Sequence, residues 1–401
     1  MNSKIPGGIT LLLILAAFSA SAPMSVDMYL PSLPELARDL GTNSGQVQLT
    51  LSAFLLGFAF APIVWGPLSD RYGRKPILYI GLTIFVGASV GAALSPSIDV
   101  LIGFRFLQAL GGSAASALSR AIVRDRYGRE DAARTLSLLF MVMSVAPMVA
   151  PILGGQVLVF LGWRAIFWAL AGFGVICLMI AVYPLRETLA PERRTTHHVG
   201  EMAKSYGALL RNRRFFGYAL CQSLSFAAMF AYIAGSPFVL IELLGVAPEF
   251  YGFLFAAHVV ALMAGSFINS RLVTRLGVDR MLLIGTVGLA SGGVLVLIAG
   301  ATAAPLSVLL MAVVFMMLFV TMIGANATAG ALSEFSHMAG TASGFLGMTQ
   351  FAIGAGAGAL VALFHDGTAV PLTAVMMAGG ILALAVRLTI LRGSGAAAAA
   401  D

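Results

Sequence analysis

Long apolar runs alternate along the chain with short segments rich in charge, Pro or Gly. A helix of roughly 20 apolar residues is long enough to cross the hydrocarbon core of a bilayer, so the pattern predicts membrane-spanning helices. Twelve are predicted, near 8–30, 46–67, 76–95, 99–123, 134–160 and 163–185, and again near 215–242, 250–273, 281–300, 304–331, 338–364 and 369–391.

The second half of the chain repeats the plan of the first. Segments 66–73 and 270–277 follow corresponding spans at an offset of 204 residues, although Thr274 stands in the second copy where the first has Asp70. Such repeats are typical of transporters built around a central site. We therefore predict an all-α integral membrane fold of two pseudo-symmetric six-helix bundles, 1–185 and 214–392, with a cytoplasmic linker 186–213 and a disordered tail 393–401.

Composition agrees with a membrane protein, because 59% of the 401 residues are hydrophobic and only 10% are charged. The net charge of +7 comes from short turns and not from one basic face, which argues against nucleic-acid binding. Cys177 and Cys221 fall inside apolar runs and suit packing better than a disulfide or metal site. The sequence has no GxxxxGK[ST] loop, Cys/His cluster or nucleophile elbow, so we expect no enzyme activity, metal or cofactor, with a proton gradient as energy source.

Basic residues indicate the orientation, since Lys and Arg in short loops stay on the cytoplasmic side. The other set of loops holds only Arg38 and Arg164. Both termini are therefore predicted to be cytoplasmic. The basic set, apart from the linker, is Arg71, Arg74, Lys75, Arg124, Arg126, Arg129, Arg134, Arg271, Arg275 and Arg280.

The N-terminal segment imitates a signal peptide, with Lys4, an apolar run and the small residues 20–22. We expect it to be retained, because cleavage would remove Asp27 and leave eleven spans.

The loop 66–76 carries three bases and one acid in a tight turn after the second span. One interpretation is that these bases only set orientation. The other is a breakable latch, in which Arg74 binds Asp70 and the carboxylate of Asp125 at the end of the fourth span. Partly buried pairs suit switching because losing one partner leaves a costly bare charge.

Arg105 lies within the fourth predicted span, where a charge costs on the order of 3 kcal/mol and needs a partner or a polar cavity. We expect that partner to be Asp27, at a similar depth in the first span. The two could form a static pair that joins helices. Alternatively, Asp27 is a proton-coupling site that titrates as solvent access changes, with Arg105 as its fixed counter-charge.

The fifth predicted span contains Pro147 and Pro151 on one face, followed by Gly154 and Gly155. Proline kinks a helix and glycine admits a close neighbour, which is also compatible with ordinary packing of membrane helices.

These motifs resemble those of the major facilitator superfamily. Segment 66–76 is similar to the family's loop signature, 101–112 to its helix-four motif, whose arginine is implicated in proton coupling, and 146–155 to its antiporter motif, with Ala150 where that motif has glycine. The resemblance implies that Asp70 and Arg74, with Asp125, hold the cytoplasmic side closed. It extends these roles to the remaining motif positions Gly66, Arg71 and Gly73.

Segments 25–34 and 333–343 narrow the resemblance to the Bcr/CflA drug-resistance group. That resemblance implies a monomeric proton antiporter of the bacterial inner membrane that exports bicyclomycin, chloramphenicol-type and other small drug-like compounds. A proton-coupled carrier of a metabolite such as an amino acid or sugar, exporting or importing, is the alternative. Polar and aromatic residues within spans are the candidate substrate contacts: Tyr29, Gln108, Gln222, Phe226, Tyr232, His258, Asn326 and Gln350.

Overall fold

The structure, a computed structural model, describes residues 9–127, 129–183, 185–190, 192, 194, 199–335 and 338–391. The residues of the signal-like start before Ile9 and the predicted tail lie outside the described residues. All regular elements in the described part are helical. They are α1 (Ile9–Asp27), a 3-10 turn (Leu30–Ser32), α2 (Leu33–Asp39), α3 (Ser44–Tyr72), α4 (Arg74–Ala93), α5 (Ile98–Arg126), α6 (Arg129–Leu161), α7 (Trp163–Val182), α8 (Val199–Arg211), α9 (Arg213–Pro237), a π-helical segment (Phe238–Leu243), α10 (Pro248–Leu276), α11 (Val278–Ala301), α12 (Leu306–Glu334), α13 (Ala339–Leu363) and α14 (Val370–Thr389).

Eleven helical stretches in the described residues are long and apolar enough to span a membrane, and a shorter apolar stretch, Val145–Leu161, lies in α6. These twelve positions match the twelve predicted spans, with α6 covering the predicted span 134–160. The predicted all-α membrane fold is confirmed.

Polar caps and single glycines define where several helices begin. Asn43 and Asn212 each accept a hydrogen bond from a backbone N–H three residues later, at 2.9 Å, and so satisfy a free donor in the first turns of α3 and α9. Gly73, Gly162 and Gly277 are the single residues between α3 and α4, α6 and α7, and α10 and α11. Their φ angles are 100°, 76° and 77°, in the left-handed region that favours glycine.

The chain divides into two compact units, Met1–Glu201 with Ala247–Phe253, and Met202–Val246 with Leu254–Asp401. The division falls inside the predicted linker 186–213, which also contains α8. This helix is amphipathic, since Leu209 is buried whereas Lys204 and Arg211 are exposed.

In the first unit, α5 is the central helix and packs on α1, α3 and α4, while α7 covers α4 and α6 covers α1. Small residues allow the close approach: a Cβ on Gly81 would lie 2.3 Å from the Cβ of Ala114, and one on Gly111 would lie 2.5 Å from the backbone N of Phe85.

In the second unit, α9 packs on α12, α13 and α14, and α11 packs on α12 and α14. Gly265 of α10 lies against α12, where a Cβ would come within 1.8 Å of the Leu318 carbonyl oxygen. Close helix packing around small residues is therefore common to both units.

Candidate functional site

The predicted latch is present at the junction of α3, α4 and α5. Arg74 Nε donates to Asp125 Oδ2 at 2.9 Å, and Arg74 Nη1 donates to Asp70 Oδ1 at 2.6 Å and to Ser69 Oγ at 2.8 Å. The side chains of Arg74 and Asp125 are only 11% and 17% exposed. Their hydrogen-bonded ion pair therefore joins α4 to α5 in a partly desolvated setting.

Glu187, which follows α7, is part of this junction and was missed in the sequence. Its carboxylate accepts hydrogen bonds from the backbone N–H groups of Arg74 at 2.9 Å and Lys75 at 3.1 Å, at the start of α4. It also accepts from the N–H groups of Thr188 and Leu189, both at 2.9 Å. A Cβ on Gly73 would lie 2.5 Å from Glu187 Oε2, so a glycine is required there for space as well as for its φ angle.

Burial raises the pKa of the Glu187 carboxyl, but the backbone N–H groups that donate to it outweigh that effect and hold the pKa below its usual range. The carboxylate is therefore stabilised as an anion at the positive end of the α4 dipole. No spacing rule links this acid to residues more than a hundred positions earlier, so the sequence carries no local signal for it.

Two other residues assigned to the latch by resemblance do not join it in this structure. The Arg71 guanidinium lies over the Tyr72 ring at 5.2 Å, on the exposed side of the turn. Gly66 faces open space, with nothing within 4 Å of a Cβ built on it.

Arg105 is fully buried in an aromatic box. Its guanidinium carbon lies 4.4 Å from the ring centroid of Phe54, 4.7 Å from that of Tyr29 and 5.7 Å from that of Phe167. Desolvated cation–π contacts of this kind stabilise by about 2 kcal/mol or more. Its Nη1 also donates to Gln108 Oε1 at 2.6 Å, while Nε and Nη2 have no hydrogen-bond partner.

Gln108 continues the network by donating from Nε2 to Ser89 Oγ of α4 at 2.8 Å. Tyr29 is held in turn by a 3.1 Å hydrogen bond between its hydroxyl and Thr50 Oγ1 of α3. Tyr29 and Gln108, two of the predicted substrate contacts, therefore position Arg105 in this structure.

Asp27 differs from the expectation that it pairs with Arg105. It is the last residue of α1 and only 5% exposed, yet no ion pair joins it to Arg105 among the described residues. The two are linked indirectly, because Tyr29 follows Asp27 by two residues and its ring contacts the guanidinium. The aromatic box occupies the faces of the guanidinium instead.

The predicted antiporter segment in α6 lies against α1 at this point. A Cβ on Gly154 would lie 2.0 Å from the carbonyl oxygen of Met28, the residue after Asp27. Pro147 and Pro151 are within α6, and Pro151 and Gly155 are buried. The small residue therefore brings α6 onto the backbone that carries Asp27.

In the second unit, three of the predicted substrate contacts lie on facing helices. Gln222 of α9 donates from Nε2 to Gln350 Oε1 of α13 at 2.6 Å and accepts from Thr328 Oγ1 of α12 at 2.9 Å. Phe226, one turn after Gln222, makes an edge contact with Phe351, with ring centroids 5.6 Å apart. This half-buried polar and aromatic cluster is the better candidate for substrate contact in the second unit.

The other three predicted contacts are engaged inside the bundle. Asn326 donates to Asn269 Oδ1 at 2.6 Å and to the Met322 carbonyl at 2.7 Å. The His258 ring is buried, with Nδ1 on its own helix at the Phe255 carbonyl and its face toward the Tyr232 ring. The Tyr232 hydroxyl is buried without a hydrogen-bond partner.

The second unit has its own helix-end tie in place of the degenerate loop. Tyr218 donates to Asp279 Oδ1 at 3.1 Å, and Arg387 of α14 donates to the Asp279 carbonyl at 3.3 Å. Arg214 pairs with Glu334 at 2.9 Å. The repeat thus conserves the location of the tie but not the residue types of the first unit.

A bundle of spanning helices with a charged latch and a buried arginine defines a membrane transporter, and comparisons with known proteins agree. The family model of the Major Facilitator Superfamily matches residues 13–359, and the chain belongs to this family.

Its relatives include an uncharacterised MFS-type transporter of Bacillus subtilis, 35% identical over 93% of each chain. A bicyclomycin resistance protein homologue of Haemophilus influenzae is 34% identical over 91% of this chain and 92% of its own, and a chloramphenicol resistance protein of Pseudomonas aeruginosa is 33% identical over 82% and 78%. The predicted resemblance to the drug-resistance group is confirmed.

The crystal structure of the nucleoside transporter NupG supports the fold, with a TM-score of 0.75 at 13% identity, covering 95% of this chain and 98% of its own. The protein is therefore a multi-span membrane transporter and not an enzyme of the same size.

Proposed function

We propose that this chain is a proton-coupled antiporter that exports small drug-like compounds across the bacterial inner membrane, with both termini in the cytoplasm. The names of its bicyclomycin and chloramphenicol resistance relatives support the class of cargo. The strong excess of Lys and Arg in one set of loops supports the orientation.

The observation that carries the coupling is the position of Asp27. It is a nearly buried carboxyl in a membrane helix, without a cationic partner among the described residues, two residues from the ring that covers Arg105. Intramembrane acids of this kind serve as proton sites in transporters. The neighbouring Arg105 supplies a fixed positive charge that biases the site without titrating itself.

In the proposed cycle, drug binds from the cytoplasm as Asp27 releases its proton, and Asp27 is reprotonated on the outside as drug leaves. The Arg74 latch secures the cytoplasmic ends of α3, α4 and α5 in one of the two states. One proton entering across 100 mV supplies about 2.3 kcal/mol, which can sustain an uphill gradient of an uncharged drug without ATP.

The test is proton release by purified protein, followed with a pH dye when chloramphenicol or bicyclomycin is added. Wild type should release protons, and Asp27→Asn should not, although it remains folded. Asp99→Asn is a matched control, because Asp99 is an exposed acid in the first turn of α5.

Equal release from Asp27→Asn and wild type would exclude Asp27 as the coupling site. No release from folded wild type with either drug would instead favour the metabolite carrier.

A further inference from the structure

Arg120 is a second arginine within the span formed by α5, and neither the latch nor the Arg105 box uses it. It lies six residues before the end of the helix. Its only hydrogen bond among the described residues is a long one, 3.4 Å from Nη1 to Ser116 Oγ one turn earlier. The described residues give it no ion pair, and the next charge along the helix, Arg124, is also positive.

The side of α5 that carries Arg120 is the side of Arg105. At about 100° per residue, Arg120 lies about 60° around the helix from Arg105 and about 140° from Leu107. Leu107 is 43% exposed and marks the outer, apolar side of α5. Arg120 therefore points away from that side.

Two neighbouring helices bound this arc of α5. On one flank, Ser21 of α1 donates to the Gly112 carbonyl at 3.3 Å. On the other, Trp65 Nε1 of α3 donates to the Leu110 carbonyl at 2.8 Å and to Ser113 Oγ at 3.2 Å. Arg120 follows these contacts toward the cytoplasmic end, in the gap between α1 and α3.

The surroundings of Arg120 combine two properties. Its side chain has substantial accessible surface, and it is nevertheless densely surrounded by protein atoms. A side chain with both properties lies in a concave, accessible recess and not on a flat lipid-facing surface. A charged residue in a membrane helix is expected to face such a polar recess.

We propose that Arg120, with the Ser116 hydroxyl beside it, selects cargo by charge: it attracts compounds with an anionic or strongly electronegative group and repels cations. This inference rests on the proposed export function and deepens it, because it names the charge class of the cargo. The first unit favours that class electrostatically, since Arg105 and Arg120 place two permanent positive charges on one side of α5, against the single acid Asp27.

Three compounds with one scaffold and different charges test the proposal. They are chloramphenicol, which is neutral, its hemisuccinate ester, which is anionic, and its deacylated amine base, which is cationic. Binding to purified protein is measured by displacement of radiolabelled chloramphenicol. Wild type should bind the hemisuccinate more tightly than the amine, and Arg120→Gln should shift that ratio by roughly tenfold toward the amine, the scale of one partly screened charge pair. Chloramphenicol itself should bind almost equally to both.

Two further variants separate a specific site from a general field. Arg120→Lys keeps the charge and should keep most of the wild-type ratio. Arg124→Gln removes the same charge one turn closer to the helix end and should leave the ratio within about twofold of wild type, because exposed charges are screened over about 10 Å.

A ratio unchanged by Arg120→Gln in protein that still binds chloramphenicol would overturn the proposal, as would an equal shift from Arg124→Gln. Loss of the wild-type preference on addition of phosphatidylglycerol would assign Arg120 to a lipid phosphate instead. Failure of folded wild type to bind chloramphenicol at all would reject the proposed function first, and this inference with it.

Discussion

At the scale of single residues, Glu187 should be a stabilising residue of the first unit. Glu187→Ala removes the acceptor for the first backbone N–H groups of α4, a loss of about 1 kcal/mol by analogy with other helix caps. The melting temperature of purified protein should fall by about 2–4 °C. Glu192→Ala is the control, because Glu192 is an exposed acid in the same segment.

The same pair of variants should show a defined pH dependence. The pKa of Glu187 is lowered in the folded protein, so its stabilisation is present above the unfolded value of about 4.3 and is lost as pH falls through the folded value. The difference in melting temperature between wild type and Glu187→Ala should therefore be constant near neutrality and close below about pH 4. A difference that persisted unchanged at pH 3 would show that the charge of Glu187 is irrelevant.

Individual contacts were predictable where a motif fixed both partners. The pair of Arg74 and Asp125 follows from a tight loop and a helix end of known polarity, and the structure contains it. The surroundings of Arg105 did not follow, because Phe54, Phe167 and Tyr29 come from three different helices. Their meeting depends on how each helix is rotated about its axis, which an almost uniformly apolar helix does not encode.

At the scale of elements, the contact of α6 with α1 should depend on Gly154. Gly154→Ala places a methyl group against the Met28 backbone, which cannot move aside as a side chain would, and should cost about 1–3 kcal/mol. Gly103→Ala in α5 is the matched control. Nothing lies within 4 Å of its Cβ, so it should be neutral or stabilising by up to about 1 kcal/mol.

Thermal unfolding of the two variants in the same detergent checks this difference. Equal melting temperatures would show that α6 and α1 are not closely packed at Gly154. Drug-dependent proton release by Gly154→Ala would then show whether the segment is needed for packing alone.

Element positions were largely predictable, since an apolar run of sufficient length has few alternatives to a spanning helix. Two features were missed. Helix α8 lies in a segment dominated by charge, and its apolar face is narrow. The π-helical segment Phe238–Leu243 follows Pro237, which lacks the N–H that would continue the regular ladder; wide turns of this kind have no clear composition signal.

At the scale of the whole molecule, the proposed orientation can be tested with the two native cysteines in place. Cys177 and Cys221 are buried, so wild type should react little with a membrane-impermeant maleimide. In spheroplasts, Asp366→Cys, between α13 and α14, should be labelled from outside. Glu192→Cys, after α7, should be labelled only once the membrane is opened, although both positions are exposed.

Labelling of Glu192→Cys in intact spheroplasts would reverse the orientation and contradict the bias in basic residues. Labelling of both positions from outside would contradict an odd number of spans between them.

The single-glycine corners at Gly73, Gly162 and Gly277 have a mechanical consequence. A connection of one residue has no slack, so the two helices that it joins cannot slide or swing independently over any useful distance. Each such pair should behave as one stiff lever during transport, and a force applied to one arm should be delivered to the other almost undamped. Strain from a moving loop would then reach the middle of the membrane through the paired helices α3 and α4, and α10 and α11, without any relay of side chains.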